Sequence, residues 1–398
     1  MWCILVVLLH IISAYESHPN LYLRDWAFSR VELRGLRPRR QQRSQMSRAM
    51  ADGRRGSTSR FVVNGTQCKS FSKSHAMHFD SRWPHLRKYT PKFAHGVPHH
   101  LYAIEPLSVH AFTSAIVSAS AQSTAIDIGT NIGAYAIFAA LLGVHVVAVD
   151  MQPMCMLATS CNLMVNGLMA ELHLGYVAPK TVDTIIKVPD DECGVMASPT
   201  AVAGRWPTGL LQKKSRVIYG MDNRTHILSP KMRMTDVVPL HLGAYVRVKK
   251  LHSISVIKID TEGYEIAVLE ALRPIWAMVN EVILELQPHA WKFANITLDR
   301  GLDTLRELMQ TQSLAVVTLP HRVDGDDSVA IANWTVCQVK TVVATQNNHH
   351  IFAPSKGGTR KSQRFEFEGL RHYVLNTYHR PQQYGWFSEI MLTNRCNN

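Results

Sequence analysis

The hydrophobic positions of this chain gather into short solid runs rather than alternating with polar ones. Residues 124–128 (TAIDI) and 144–149 (VHVVAV) are two such runs, with the length and β-branched content of strands covered on both faces. Residues 134–142, between them, are apolar nearly all round, as suits a helix packed on a covered sheet. Strand, helix and strand in that order predict a parallel crossover. The strand signature returns at 171–177, 254–260 (ISVIKID), 281–286 (EVILEL) and 314–319, and 334–344 reads as one more strand or a hairpin arm. Helices are expected over 108–118, from Pro153 to the Asn166-Gly167 stop, over 266–272 before Pro274, and over 302–309. Residues 387–392 are expected to return to the sheet edge.

This alternation defines an α/β class: a doubly wound, mostly parallel, Rossmann-like seven-stranded sheet with an N-terminal extension over 61–118 and a long insertion before strand 4. The insertion, 178–252, holds only short apolar pieces (182–188, 216–219 and 232–238), the pattern of a lid or a small inserted sheet. The catalytic domain is placed at 119–345, with a C-terminal extension over 346–398.

Composition changes the picture mainly at the N-terminus. Residues 2–14 form an apolar run without a charged side chain that ends in small residues, a signal peptide or, left uncleaved, a signal anchor over 1–14. The formal charge of +13 is lopsided, because residues 15–60 hold eleven arginines against four acids. That stretch lacks hydrophobic periodicity and reads as a basic flexible stem, not as a nucleic-acid arm, since aromatic residues are nearly absent from it after Trp26. Glycosylation sequons at Asn64, Asn223, Asn295 and Asn333 point to the secretory pathway lumen (Golgi or ER) or to secretion, with a membrane partner only if the leader stays as an anchor. Six cysteines remain behind the leader; they allow three disulfides of unreadable connectivity, or buried thiols. The histidines between 75 and 100 have no strong metal-ligand spacing.

Candidate chemistry lies at the ends of the strands. Gly129-Thr130-Asn131-Ile132-Gly133 strips side chains from a turn that opens a helix, with Asp127 just before it. The spacing is not the GxGxxG of a dinucleotide site, and an acid there faces a pyrophosphate badly but suits an ammonium group. Asp150 closes the next strand at the offset where an acid reaches ribose hydroxyls. An ammonium, a ribose and no phosphate describe S-adenosylmethionine. Asp260 and Glu262, after the 254–260 strand, and His289, after 281–286, fall at the same carboxyl-end rim, as do Glu285 and the rest of 285–289. Lys258, two residues before Asp260, shares its strand face and is positioned to pair with a carboxylate.

With these residues in hand the chain resembles the FkbM-type methyltransferases, a class I S-adenosylmethionine-dependent O-methyltransferase family. IDIGTNIGAYA at 126–136 is similar to the family's glycine turn, and IKIDTEGYEIAVLEAL at 257–272 to its Lys-Ile-Asp-x-Glu-Gly-x-Glu segment. Met234-Thr235-Asp236 and Glu285 are weaker matches, and Asp150 stands where relatives usually carry Glu. The resemblance implies methyl transfer to a hydroxyl of a glycan or small molecule, with Asp127, Gly129, Asn131, Gly133 and Asp150 holding the cofactor. Asp260, Glu262 or His289 then handles the acceptor's proton. A variant, a divalent cation held by Asp260 and Glu285, stays open, with magnesium favoured over zinc by an all-oxygen ligand set. Two other classes are a nicotinamide-dependent oxidoreductase, against which the GxxxG spacing counts, and a non-catalytic Rossmann-like binding protein, against which the intact acids count. An Asn/Asp-Pro-Pro-aromatic motif for nucleic-acid amino groups is missing, so no nucleic-acid partner is expected.

Overall fold

Strands buried on both faces need both faces covered, and the computed structural model of the chain is built that way. It describes residues 68, 75–78, 85–94, 105–189, 193, 216–219, 225–228, 234–319, 334–339, 341–342, 364–379 and 388–393. The chain divides into two units, Met1–Ser57, which lies outside those residues, and Thr58–Asn398. The leader, the whole stem and the sequons at Asn64, Asn223 and Asn333 therefore fall outside the described residues.

Among the described residues one large sheet is made of β1 (Thr124–Ile128), β2 (His145–Asp150), β3 (Glu171–Val177), β4 (Ile186–Pro189), β5 (Met234–Leu240), β6 (Ile254–Ile259), β7 (Glu281–Leu286), β8 (Ala315–Leu319), β9 (Thr341–Val342), β10 (Arg364–Phe365) and β11 (Ser388–Thr393). Their order across it is β9-β10-β8-β11-β7-β6-β1-β2-β3-β5-β4. Neighbours from β7 through β6, β1, β2 and β3 to β5 run parallel. β11 runs antiparallel between β7 and β8, and β4 antiparallel on β5. The seven strands from β3 to β8 in this order are the expected doubly wound sheet, widened at both edges.

Seven helices are used below: α1 (Pro106–Val117), α2 (Ala134–Leu141), α3 (Pro153–Val165), α4 (Leu242–Lys249), α5 (Glu265–Leu272), α6 (Leu298–Thr311) and α7 (Phe367–His379). Side-chain parity sorts the core into two layers. Ile126, Val147, Ile257 and Leu284 pack with Val246, Leu269, Leu305 and Tyr373 on one face. Ala125, Val146, Val256 and Ile283 pack with Phe112, Ile137, Phe138 and Met156 on the other.

Three expectations are corrected here. Residues 388–393 do not sit at an edge: β11 bonds to strands on both sides, because the chain returns antiparallel after α7 and fills the gap between β7 and β8. The described part of 334–344 holds a 3-10 turn (Val336–Gln338) and the two-residue β9 where one longer strand or hairpin arm is expected. The 178–252 stretch is not wholly inserted, since β5 and β4 extend the main sheet; a separate antiparallel pair, Arg216–Tyr219 with Thr225–Leu228, is the small inserted sheet.

Cysteine pairing ties the outlying segments to α3. Cys68 is bonded to Cys161 and Cys155 to Cys193, and Cys337 is disulfide-bonded as well. The N-terminal extension is further held by Asn166, whose amide meets both the N–H and the carbonyl of Lys92, and by Asn162, which accepts from Ala94 N–H and donates to the Ile132 carbonyl.

Candidate active site

The carboxyl ends of β1, β2, β3 and β6 open into one shared cleft. Gly129, Asn131, Asp150, Gln152, Tyr176, Asp260, Glu262 and Tyr264 are among its lining residues. This is the crevice in which doubly wound sheets bind ligands.

The turn after β1 is left-handed at Gly129 (φ 80°), Asn131 (φ 51°) and Gly133 (φ 83°). Asn131 N–H donates to Asp150 Oδ2 at 2.9 Å, and the Asn131 carbonyl accepts from Thr159 Oγ1 at 2.8 Å. Asp150 Oδ1 accepts from Gln152 N–H at 2.8 Å, so both carboxylate oxygens are oriented by backbone donors while the group still faces the cleft. Burial pushes the Asp150 carboxyl up to about 7 against those two donors.

Asp127 has another task than the expected one. It is buried, does not line the cleft, and its Oδ2 accepts from Thr130 Oγ1 at 2.6 Å and from Ala136 N–H at 3.1 Å. It therefore ties the glycine turn to the first turn of α2. The cause is parity: Asp127 shares a strand face with Ala125, which points into the second core layer. Gly133 is also absent from the lining, and a β-carbon there would meet Thr159 Cγ2 at 2.6 Å.

The second half of the rim follows β6. Asp260 is partly exposed, Glu262 adopts a left-handed backbone (φ 53°) and Gly263 follows it (φ 97°). A non-glycine residue held in that region stores strain, which is tolerated where a surrounding site over-determines it. Gln287 Nε2 bridges Glu262 Oε2 and Glu285 Oε1, each at 3.0 Å. Burial, then the nearby Asp260, pushes the Glu262 carboxyl up to about 8, and Glu285, also hydrogen-bonded to Asp260, is held well above the usual carboxylate range. Glu265 turns inward, accepting from Gly263 N–H at 2.6 Å and Trp291 Nε1 at 3.2 Å, so it ties the turn before α5 to the 3-10 segment after β7 and does not line the cleft.

His289 is buried in the 3-10 segment Pro288–Ala294 and does not line the cleft. Its place after β7 is as expected, but that segment folds back onto the core. The cation variant finds no support: among the described residues no group of three or more His, Cys, Asp or Glu could hold a metal ion. Sequence reasoning missed Tyr176 and Gln152, polar residues at otherwise ordinary strand ends whose relevance depends on which strands become neighbours.

A parallel sheet with this strand order, a glycine turn after its first strand and acids at the ends of the second and sixth is the architecture of a class I methyltransferase. Residues 127–315 match the model of the "Methyltransferase FkbM domain", and this match supports an S-adenosylmethionine-dependent methyltransferase. Solved structures similar to the chain include an rRNA methylase from Streptococcus thermophilus (14% identity, 47% of this chain and 74% of that one, TM-score 0.26). Others are a SAM-dependent methyltransferase from Agrobacterium tumefaciens (9%, 63% and 61%, TM-score 0.31) and the plantazolicin methyltransferase BpumL in complex with a triazolic desmethylPZN analog and SAH (11%, 75% and 87%, TM-score 0.32). Comparison with curated proteins finds no match.

Proposed function

We propose that the protein transfers a methyl group from S-adenosylmethionine to a hydroxyl of a glycan or small molecule in the secretory pathway. The observation that carries this reading is that Asp150 and Asp260, from the ends of different strands, line one cleft on either side of the Gly129 turn. The residues present fit the cofactor: Asp150 is aimed by two backbone amides and can accept from ribose hydroxyls, and Gly129 leaves backbone where a side chain would intrude. Bound S-adenosylmethionine supplies an electrophilic methyl on a positively charged sulfur.

The chain's own residues do the rest. Asp260 and Glu262 stand where an acceptor hydroxyl would enter the cleft, and one carboxylate taking its proton as the C–O bond forms would favour attack. Glu285 and Gln287, bonded to that pair, keep it oriented. Support for a lumenal site comes from the apolar leader, the exposed sequon asparagine Asn295, and disulfides joining α3 to residues 68 and 193. In that compartment a glycan hydroxyl is the abundant acceptor, and nucleic acid is not a partner.

The test is to incubate the secreted protein with methyl-labelled S-adenosylmethionine and total released glycans. Label in alkali-stable methyl ethers on sugars supports the proposal. Binding of the cofactor with no transfer to any glycan fraction, but transfer to a small-molecule extract, moves the acceptor to that class; no transfer to either sinks the reading.

A further inference from the structure

Beneath the cleft lies a buried ammonium. Lys258 is 1% exposed; its Nζ donates to Glu389 Oε1 at 3.0 Å and lies 3.8 Å from Asp260 Oδ2. The other oxygen of Glu389 accepts from Ser108 Oγ at 3.1 Å. The Tyr135 ring centroid is 5.4 Å from Nζ, and the Tyr135 hydroxyl donates to Glu105 Oε2 at 2.8 Å. Carboxyl groups thus face this cation from four directions: Glu389 on β11, Asp260 past β6, Glu285 on β7 and Glu105 before α1. Burial opposes the charge, but Glu389 and Asp260 hold the Lys258 pKa well above its ordinary value. Glu105, Ser108 and Glu389 all lie outside the matched 127–315 domain.

A buried ion pair contributes little net stability compared with well-packed apolar residues, so its place beside a cleft acid calls for another account. Lys258 itself does not line the cleft, whereas Asp260 does. The cation can therefore act on a ligand only through the field it adds to that of Asp260.

Resting on the methyltransferase reading, we propose that Lys258, fixed by Glu389 and Ser108, is a positioning residue that sets how strongly Asp260 attracts a positively charged sulfur. It thereby governs how far the protein distinguishes S-adenosylmethionine from S-adenosylhomocysteine, whose sulfur is neutral.

The experiment is calorimetric titration of the two ligands, separately, into wild type, Lys258→Met and Glu389→Gln, with no acceptor present. Met removes the charge and keeps most of the bulk; Gln keeps an oxygen for Nζ and removes the opposing charge. The ratio of S-adenosylmethionine to S-adenosylhomocysteine affinity rises at least about threefold in Lys258→Met and falls in Glu389→Gln, as a single charge acting through a partly polar medium requires. A purely structural role changes both affinities by one factor; an unmoved ratio, or shifts of the same sign in the two variants, overturns the proposal. Should Lys258→Met not fold, the fall in Glu389→Gln decides alone. Wild type that binds neither ligand removes the methyltransferase reading itself, an outcome distinct from bound ligand with an unmoved ratio.

Discussion

A β-carbon placed on Gly129 would fall 1.7 Å from the carbonyl oxygen of Asp260. The two segments that form the rim, the turn after β1 and the chain leaving β6, are packed backbone against backbone, and Asp260 N–H donates to the Ile128 carbonyl at 2.9 Å. Gly129 also has φ 80°, so a substitution there is strained twice over. Gly129→Ala is expected to cost about 2–3 kcal/mol or more of folding stability and to abolish S-adenosylhomocysteine binding. Denaturant titration and calorimetry check this; wild-type values in both would show that the two backbones are not in contact.

Asp150 carries a pH dependence. Burial raises its carboxyl to about 7 in the ligand-free protein. The ionised form is the better acceptor for ribose hydroxyls, so cofactor affinity climbs as pH rises from about 6 to about 8 and levels off above the pKa. In Asp150→Asn that climb is lost and affinity is lower throughout. Titrations across this range read both effects.

Asp260→Asn keeps shape and removes the proton acceptor. Transfer is expected to fall by about a hundred- to ten-thousand-fold while S-adenosylhomocysteine affinity changes by only a few-fold. A variant with near wild-type turnover would shift the role to Glu262, and Glu262→Gln is then the variant to assay.

The Cys68–Cys161 bridge spans 93 residues and fastens the N-terminal extension to α3. Replacing both cysteines with serine is expected to lower stability by about 2–4 kcal/mol. Thermal melts without reductant measure it, and an unchanged midpoint would show that the asparagine contacts to Lys92 and Ala94 suffice.

Asn295 is exposed at the end of its 3-10 segment with φ 56°, and Thr297 beside it is exposed too. If the chain passes through the secretory pathway, Asn295→Gln loses the mass of one N-linked glycan relative to wild type. Mass spectrometry of the secreted protein decides; an unmodified Asn295 would weigh against the lumenal proposal.

The stretches that were readable in advance share one property: their signals are local. Apolar-rich runs marked β1, β2, β3, β6, β7 and β8 because a strand covered on both faces carries few polar residues, and those it does carry, such as Asp127 and Lys258, are given buried partners. The glycine turn and Asp150 could be placed because each sits within a few residues of a strand end. What did not carry over was direction. Strand direction alone puts Asp127 and His289 at the rim, yet the pleat turns one inward and a 3-10 segment buries the other.

The amino-acid order alone determined that this is a doubly wound α/β protein with a glycine turn after its first strand and acids at its strand ends, since those features follow from local stretches of the chain. Tertiary structure alone decided which distant groups meet: that Glu389 reaches Lys258 across 131 residues, that β11 enters the middle of the sheet, and that Cys155 finds Cys193. Such meetings depend on strand order and direction, which are set by the packing of the whole sheet and leave no mark on the neighbouring residues of the chain.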